Sequence, residues 1–280
     1  MHMIRTIGSW ATVFVLVTLA GALKAAEPIP FGTVTSGNKD IVAAWLSDPV
    51  ARYPHGVLGD SLEASTLRVR LLDGTELAAA LSVRVFEDNT PRLADIDGDG
   101  RDEVWTVISD FIGGARLVAY GVVAGELVQR FSTAPIGLGF RWLNPLAVAD
   151  FDGDGQKEVA YIQTPHIGGI LTIVRPVGSE LQVVAVRSGY STHAMGSEFL
   201  DLGVAVDLDG DGAAELLLPD QKRRRLSIVQ LRDGKLHVRW TSGTLARIDA
   251  GLRAVAGANG WQATYRSAGG HTVQTPLPGL

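Results

Sequence analysis

The sequence predicts an all-β fold built from repeated four-stranded units. One acidic nine-residue loop occurs three times, beginning at Asp95, Asp150 and Asp207, which are 55 and 57 residues apart. Short runs rich in β-branched and apolar residues flank each copy, and Asp-Gly pairs and other turn signals separate them. The composition, with 46% apolar residues and 33 glycines, is more typical of strands and turns than of helices.

Each repeat is predicted to contain one strand before its acidic loop and three after it. In the second copy, the strands after the loop are 159–162, 170–174 and 180–184. Four-stranded units that repeat at this period are typical of a β-propeller, in which each blade buries its faces against its neighbours. A right-handed β-helix is the alternative repeat fold.

The length favours five blades. They are predicted at about 40–88, 95–140, 150–200, 207–248, and a split blade in which 251–280 is completed by 28–36, so that strands from both termini close the ring.

The first blade is predicted to be a worn copy without a metal. Its strands would be 41–45, 56–58, 66–71 and 76–77, and its loop at 47–54 lacks the ladder of carboxylates.

The N-terminus predicts export. A positive start at Arg5, an apolar run of 14 residues at 10–23 and small residues at Ala25 and Ala26 are typical of a signal peptide over 1–26. The run is shorter than the ~20 residues that a spanning helix needs, although an uncleaved anchor is the alternative. We therefore expect residues 27–280 to form a single periplasmic or secreted propeller domain without a transmembrane span.

The composition excludes disulfide bonds and gives no indication of nucleic-acid binding. The chain has no cysteine, so disulfides are impossible and bound metal would have to supply any cross-links. The formal charge is −5, and no basic stripe with interleaved aromatic residues indicates nucleic-acid binding. The basic run 223–225 is interpreted as a solvated loop tip.

The acidic loops have the chemistry of a calcium cage. Carboxylates occupy positions 1, 3, 5 and 9 of each loop, and glycines at positions 4 and 6 permit backbone angles closed to other residues. Ca²⁺ takes about 6–8 oxygen ligands in flexible geometry, whereas Mg²⁺ requires a strict octahedron and keeps its waters. We therefore expect about three Ca²⁺ sites; the alternative is a set of solvated acidic turns that bind nothing.

An EF-hand is excluded by the residue at position 12. That motif needs a bidentate glutamate there, but Thr106, Tyr161 and Leu218 occupy the position in the three copies, and the residues around them are β-formers.

With these motifs, the chain resembles the FG-GAP (VCBS) repeat family, which includes the integrin α-subunit propeller. The three Asp-x-Asp-Gly-Asp-Gly-x-x-Glu loops support the resemblance, helped by 136–137, 195–197 and 111–115. The chain departs from the family where Gly-Ala-Pro should follow, at 164–169 and 219–221, and integrins commonly have seven blades. The ligands that the resemblance implies are Asp95, Asp97, Asp99, Glu103, Asp150, Asp152, Asp154, Glu158, Asp207, Asp209, Asp211 and Glu215, with the main-chain carbonyls of Arg101, Gln156 and Ala213.

A second set of polar residues is predicted on the face opposite the acidic loops. There Arg and Trp could stack on a sugar or clamp a carboxylate, and the histidines could act as acids, bases or ligands. The alternative is that these residues only cap strands and turns. The set is Glu87, Asp88, Asp110, Arg141, Trp142, His166, His193 and Asp220.

Two functions follow from this organisation. The favoured one is a non-enzymatic, calcium-stabilised module that binds an extracytoplasmic protein or glycan. The alternative is a polysaccharide hydrolase or lyase that uses a carboxylate pair from Glu87, Asp88, Asp110 and Asp220.

Overall fold

The computed structural model describes residues 26–258 and 260–279. The predicted signal peptide lies outside the described residues except for Ala26. Throughout the described ranges the regular structure is β, which confirms the predicted all-β class. No helix there has the length and apolar character needed to cross a membrane.

The described part of the chain contains twenty strands. They are β1 (Thr35–Ser36), β2 (Ile41–Val50), β3 (Glu63–Leu71), β4 (Glu76–Ala80), β5 (Val85–Phe86), β6 (Arg92–Ala94), β7 (Glu103–Asp110), β8 (Gly114–Val123), β9 (Glu126–Ser132), β10 (Leu143–Ala149), β11 (Glu158–Gln163), β12 (Ile170–Val177), β13 (Glu180–Ser188), β14 (Val204–Val206), β15 (Glu215–Pro219), β16 (Leu226–Arg232), β17 (Lys235–Thr241), β18 (Ile248–Gly257), β19 (Gly260–Ser267) and β20 (Thr272–Pro276).

The strands pair as antiparallel units in chain order. β14 to β17 form a four-stranded sheet, and β18 to β20 form a three-stranded one. The remaining thirteen described strands are joined in one sheet, within which β1–β4, β6–β9 and β10–β13 each pair in sequence order. β5 links the first two of these units, and a single parallel bridge between Ser132 and Glu180 links the second and third.

Burial decreases from the second strand of a unit to the fourth. β15 is buried throughout, and β7 and β11 are buried except at their last residue. The fourth strands β13 and β17 are mostly exposed. A strand covered on both faces needs a continuous apolar run, and the sequence has such runs in the second strands. Trp105 of β7 stacks on Phe131 in this core, with ring centroids 6.4 Å apart.

The first unit differs from the prediction. Its first strand is β1, and the predicted first strand at 41–45 belongs to the second strand, β2. The predicted strand at 56–58 is instead part of the long loop 51–62. Val57 and Leu58 are buried in the same hydrophobic cluster as Trp105 and Trp142, so their apolar character serves the core rather than strand pairing.

The prediction that 28–36 completes the last unit is wrong. Ile29 donates a backbone hydrogen bond to Leu46 at 3.0 Å, and β1 pairs with β2. The N-terminal segment therefore satisfies the edge of the first unit, which would otherwise expose unpaired backbone groups. The Trp45 indole N–H also donates to the carbonyl of Ala26 at 2.8 Å, which fixes the start of the described chain on this unit.

Candidate metal-binding loops and the opposite face

The three acidic loops occupy the same place in three units. Loop A (95–103) joins β6 to β7, loop B (150–158) joins β10 to β11, and loop C (207–215) joins β14 to β15. In each loop the position-9 glutamate is already the first residue of the second strand, so the sheet fixes one end of the carboxylate ladder.

The same backbone hydrogen bonds shape all three loops. The position-1 aspartate accepts N–H groups from the glycines at positions 4 and 6, both of which have positive φ. The aspartates at positions 3 and 5 each accept the N–H two residues further on. In loop C, Asp207 accepts from Gly210 at 2.7 Å and from Gly212 at 3.1 Å.

The position-9 glutamate closes each loop from inside. Glu103, Glu158 and Glu215 are buried, and each accepts the N–H of position 2 at 2.9–3.1 Å. Position 2 is apolar and buried in every copy, so it anchors the loop in the core. Burial raises the pKa of all three glutamates, that of Glu103 to about 7.

Each loop brings three carboxylates together in a cluster that could hold a metal ion. In each cluster, one oxygen from every member lies within 4.8 Å of the others. Position 5 takes part in loop A, and position 9 takes part in loops B and C. The members are Asp95, Asp97 and Asp99 in loop A, Asp150, Asp152 and Glu158 in loop B, and Asp207, Asp209 and Glu215 in loop C.

The cations around the loops differ. In loop B, Arg175 contacts Asp152 at 2.9 Å, Asp154 at 3.1 Å and Glu158. Loop A is also surrounded by cations: Arg130 contacts Asp97 and Glu103, Arg101 contacts Asp99, and Lys39 contacts Asp95.

Loop C has a neutral neighbour instead. Gln230 lies 3.5 Å from Glu215, and no ion pair to a loop C carboxylate is found in the described part of the chain.

Position 8 connects each loop to the unit before it. The N–H of Asp102 donates to Asp40 at 2.9 Å, Lys157 Nζ donates to the carbonyl of Asp95 at 2.6 Å, and the N–H of Ala214 donates to the carbonyl of Asp150 at 2.8 Å. Successive loops therefore lie side by side at the same end of the strands.

The eight residues predicted on the opposite face fall into two groups. Its four carboxylates are engaged within the protein. Asp110 accepts the N–H groups of Ile112 and Gly113 in its own turn, and Asp220 accepts those of Arg224 and Arg225. Asp88 is fully buried and contacts Arg92 at 2.7 Å.

Glu87 is also fully buried, and its partners are His55 Nδ1 and the Ser109 hydroxyl. Burial raises the pKa of Glu87, and the His55 ring opposes that shift. Trp142 is almost fully buried as well, and its indole N–H donates to the Glu87 carbonyl at 2.9 Å. It is therefore not an open stacking platform.

Arg141, Trp142 and His166 border a cavity of about 210 Å³. It is lined by His55, Phe140, Arg141, Trp142, Thr164, His166, Ile167 and Met195.

His193 lies buried beside His166, with His193 Nδ1 2.8 Å from His166 Nε2. Burial lowers the pKa of His166 to about 4 and that of His193 to about 3, so both rings are neutral at neutral pH.

Sequence reasoning missed His55 and Glu63 in this region. Glu63 is 1% exposed, and its Oε1 has no hydrogen-bond partner within the described structure. Burial, followed by the charge of Glu87, raises the pKa of Glu63 to about 10. The sequence offered one weak signal, since Tyr53 lies in, and His55 directly follows, the loop 47–54 that lacks the carboxylate ladder.

No protein-family model and no curated protein matches the chain. Among solved structures, it is similar to an exotype rhamnogalacturonan lyase, with 15% identity and a TM-score of 0.48, covering 88% of this chain and 56% of the lyase. A Bacillus licheniformis rhamnogalacturonan lyase is similar with 16% identity and a TM-score of 0.44, covering 84% of this chain and 59% of the lyase. A third rhamnogalacturonan lyase is similar with 18% identity and a TM-score of 0.43, covering 74% of this chain and 50% of the lyase. The chain spans about half to three-fifths of the length of these lyases.

Proposed function

We propose that this chain is an exported calcium-binding protein of the FG-GAP/VCBS kind. Loops A, B and C would each hold one Ca²⁺, and the opposite face would bind an extracytoplasmic protein or glycan without catalysis. The single observation that carries the proposal is the threefold recurrence of one hydrogen-bonded loop that gathers three carboxylates. Carboxylates gathered this closely repel one another unless a cation lies among them, and the same gathering recurs in all three loops.

Calcium fits these loops better than magnesium. The ladder offers four carboxylates per loop and a main-chain carbonyl at position 7, which suits a cation that accepts many oxygens at variable angles. Magnesium would keep most of its waters and gain little from so dense a set of carboxylates.

The finer fold proposed is a five-unit propeller. Neighbouring units contact one another through their first strands, as β10 does with β14 and β14 with β18. They also contact through their fourth strands, as β4 does with β9 and β13 with β17. These contacts are what blades stacked around one axis would make.

A binding role is favoured over the hydrolase or lyase alternative by the state of the carboxylates. Glu87 and Asp88 are fully buried, and Asp110 and Asp220 hold turns. None of the four lines the 210 Å³ cavity, so none is presented there as a member of the acid–base pair that glycoside hydrolysis uses.

Calcium titration by calorimetry tests the proposal. Wild-type protein should bind three Ca²⁺, and Asp152→Ala should bind two, because it removes a loop B ligand. Asp73→Ala is the matched control, since Asp73 is an exposed aspartate that accepts the N–H of Thr75 in an ordinary turn. Three sites in Asp152→Ala would refute the assignment of loop B, and no site in wild type would refute the proposal itself.

Export is tested separately by cell fractionation with N-terminal sequencing. The protein should be found outside the cytoplasm and begin near residue 27. Full-length protein confined to the cytoplasm would end this part of the proposal.

A further inference from the structure

The opposite face carries exposed apolar side chains that meet at one place. Phe111, Phe140, Ile167 and Met195 are 56%, 40%, 59% and 69% exposed. The last three border the 210 Å³ cavity, and the Phe111 ring lies 5.5 Å from that of Phe140. Exposed apolar patches with polar residues beside them mark interaction sites, and Phe, Met and Arg are enriched in protein interfaces.

The wall of the cavity is held in an unusual backbone conformation. Phe140 has φ 54° and Thr164 has φ 48°, a region that bulky and β-branched residues rarely adopt. Both are fixed by hydrogen bonds from their N–H groups, that of Phe140 to the Tyr53 hydroxyl at 2.7 Å and that of Thr164 to the Trp142 carbonyl at 2.9 Å. Strained residues of this kind cluster at ligand sites, where the surrounding structure imposes them.

The cavity selects for a negative group. Arg141 is the one permanently charged side chain of its lining, and no carboxylate lines it. Among the described contacts, the Arg141 guanidinium makes one hydrogen bond, from Nη1 to the neighbouring carbonyl of Phe140 at 3.0 Å. Its remaining N–H groups are available, and a carboxylate is their best-matched partner.

The histidine pair adds an acceptor beside this donor. The carbonyl of Ser197 can only accept, so His193 Nε2, which lies 2.8 Å away, carries the proton. His193 Nδ1 therefore accepts from His166 Nε2, and the neutral His166 ring keeps an unprotonated Nδ1. A ligand with both a carboxylate and a nearby N–H would match Arg141 and His166 together, and a peptide is such a ligand.

We propose that this face docks an apolar segment of a partner polypeptide, with a carboxylate of that segment at Arg141, a peptide N–H at His166 and an apolar side chain against Phe140, Ile167 and Met195. The inference rests on the proposed binding function and names its partner class. A peptide is favoured over a glycan because the rim is aliphatic as well as aromatic, and because the buried Trp142 offers no flat face for a sugar.

Binding of N-acetyl-phenylalanine to the full chain, followed by NMR and calorimetry, tests the inference. This probe should bind in the millimolar range, and its amide should bind at least about tenfold more weakly because it lacks the charge. Arg141→Gln should weaken binding by a similar factor. Arg224→Gln, an exposed arginine of the same face outside the cavity lining, should leave binding unchanged.

Three results would overturn the inference. They are equal binding of acid and amide, no effect of Arg141→Gln, and preference for galacturonate, a sugar acid without an apolar side chain. Calcium stoichiometry is measured on the same samples. If the wild-type chain binds three Ca²⁺ but not N-acetyl-phenylalanine, only the peptide inference is overturned. If it binds no Ca²⁺, the proposed function is overturned.

Discussion

The two ends of the strand units differ in how far they repeat. At one end, loops A, B and C have equal length, the same hydrogen bonds and the same buried glutamate. At the other end, the loops that join second to third strands are 51–62, 111–113, 164–169 and 220–225; their lengths range from three to twelve residues, and within the described structure none of them gathers a carboxylate cluster.

This difference separates a structural feature that repeats from unit to unit, the acidic loop, from one that occurs at a single place, the cavity. The repeated loop serves alike the three units that carry it, by closing the first hairpin of each and docking it on the unit before. Loops that differ from one another can shape a single site, and the cavity with Arg141 and His166 lies between two of them, 51–62 and 164–169, and the connection 133–142 from β9 to β10. The acidic end is therefore expected to govern stability, and the opposite end recognition.

Calcium removal should produce the largest effect, because it acts on all three loops at once. With site affinities of ~10⁻⁴–10⁻³ M, millimolar calcium contributes about 1 kcal/mol per site, hence about 3 kcal/mol in total. Urea denaturation in calcium and in excess chelator measures the difference, with magnesium as the control cation. An unchanged urea midpoint in chelator would show that calcium binding at the acidic end does not stabilise the fold.

The second-largest effect should come from acidification, which lowers the free energy of unfolding through the histidines at the opposite end. Burial holds the pKa of His193 at about 3 against 6.5 for an exposed histidine, so the unfolded state takes up its proton first as pH falls. The stabilisation is therefore complete above pH 6.5 and is lost between pH 6.5 and about 3. Between about pH 7 and about pH 5 we expect a loss of about 2 kcal/mol from this group.

Variants isolate that contribution from the titrating carboxylates. His193→Gln should flatten the pH dependence of unfolding by the same amount, since glutamine stays neutral and can still donate to Ser197. His237→Gln replaces an exposed histidine and serves as the control. Equal slopes for His193→Gln and wild type would show that His193 does not couple stability to pH.

Within the acidic end, loops B and C should differ in affinity. Arg175 contacts three loop B carboxylates and competes with a cation, whereas Gln230 beside loop C is neutral. Arg175→Gln should raise the calcium affinity of loop B about tenfold, and Gln230→Arg should lower that of loop C about tenfold, or about 1.4 kcal/mol each. Calorimetry on both variants gives the sign, and parallel changes in the two would contradict a role for the arginine.

The sequence predicted what depends on neighbours in the chain. Carboxylates at fixed spacing and glycines that permit positive φ determine the acidic loops locally, and continuous apolar runs identify the buried second strands. The two-residue strand β1 could not be predicted, because only its partner β2 makes it a strand.

The opposite face depended on long-range contacts for the same reason. His55 contacts Glu87, which lies 32 residues further along the chain, so the residues next to His55 in sequence do not indicate its buried partner. Val57 looked like part of a strand because an apolar residue in a core-filling loop has the same local pattern.

The smallest expected effect concerns the rim of the cavity. Met195 is 69% exposed, so Met195→Ser should change the free energy of unfolding by no more than about 0.5 kcal/mol. The same change should weaken the binding of N-acetyl-phenylalanine, because the apolar contact is lost from the ligand rather than from the core. Ile112→Ser is the matched control, since Ile112 is 89% exposed but does not border the cavity, and it should alter neither property. Met195→Ser could instead destabilise the fold as much as calcium removal does. The loop 189–203 that carries Met195 would then contribute to stability like the acidic loops, and the assignment of stability to one end and recognition to the other would be wrong.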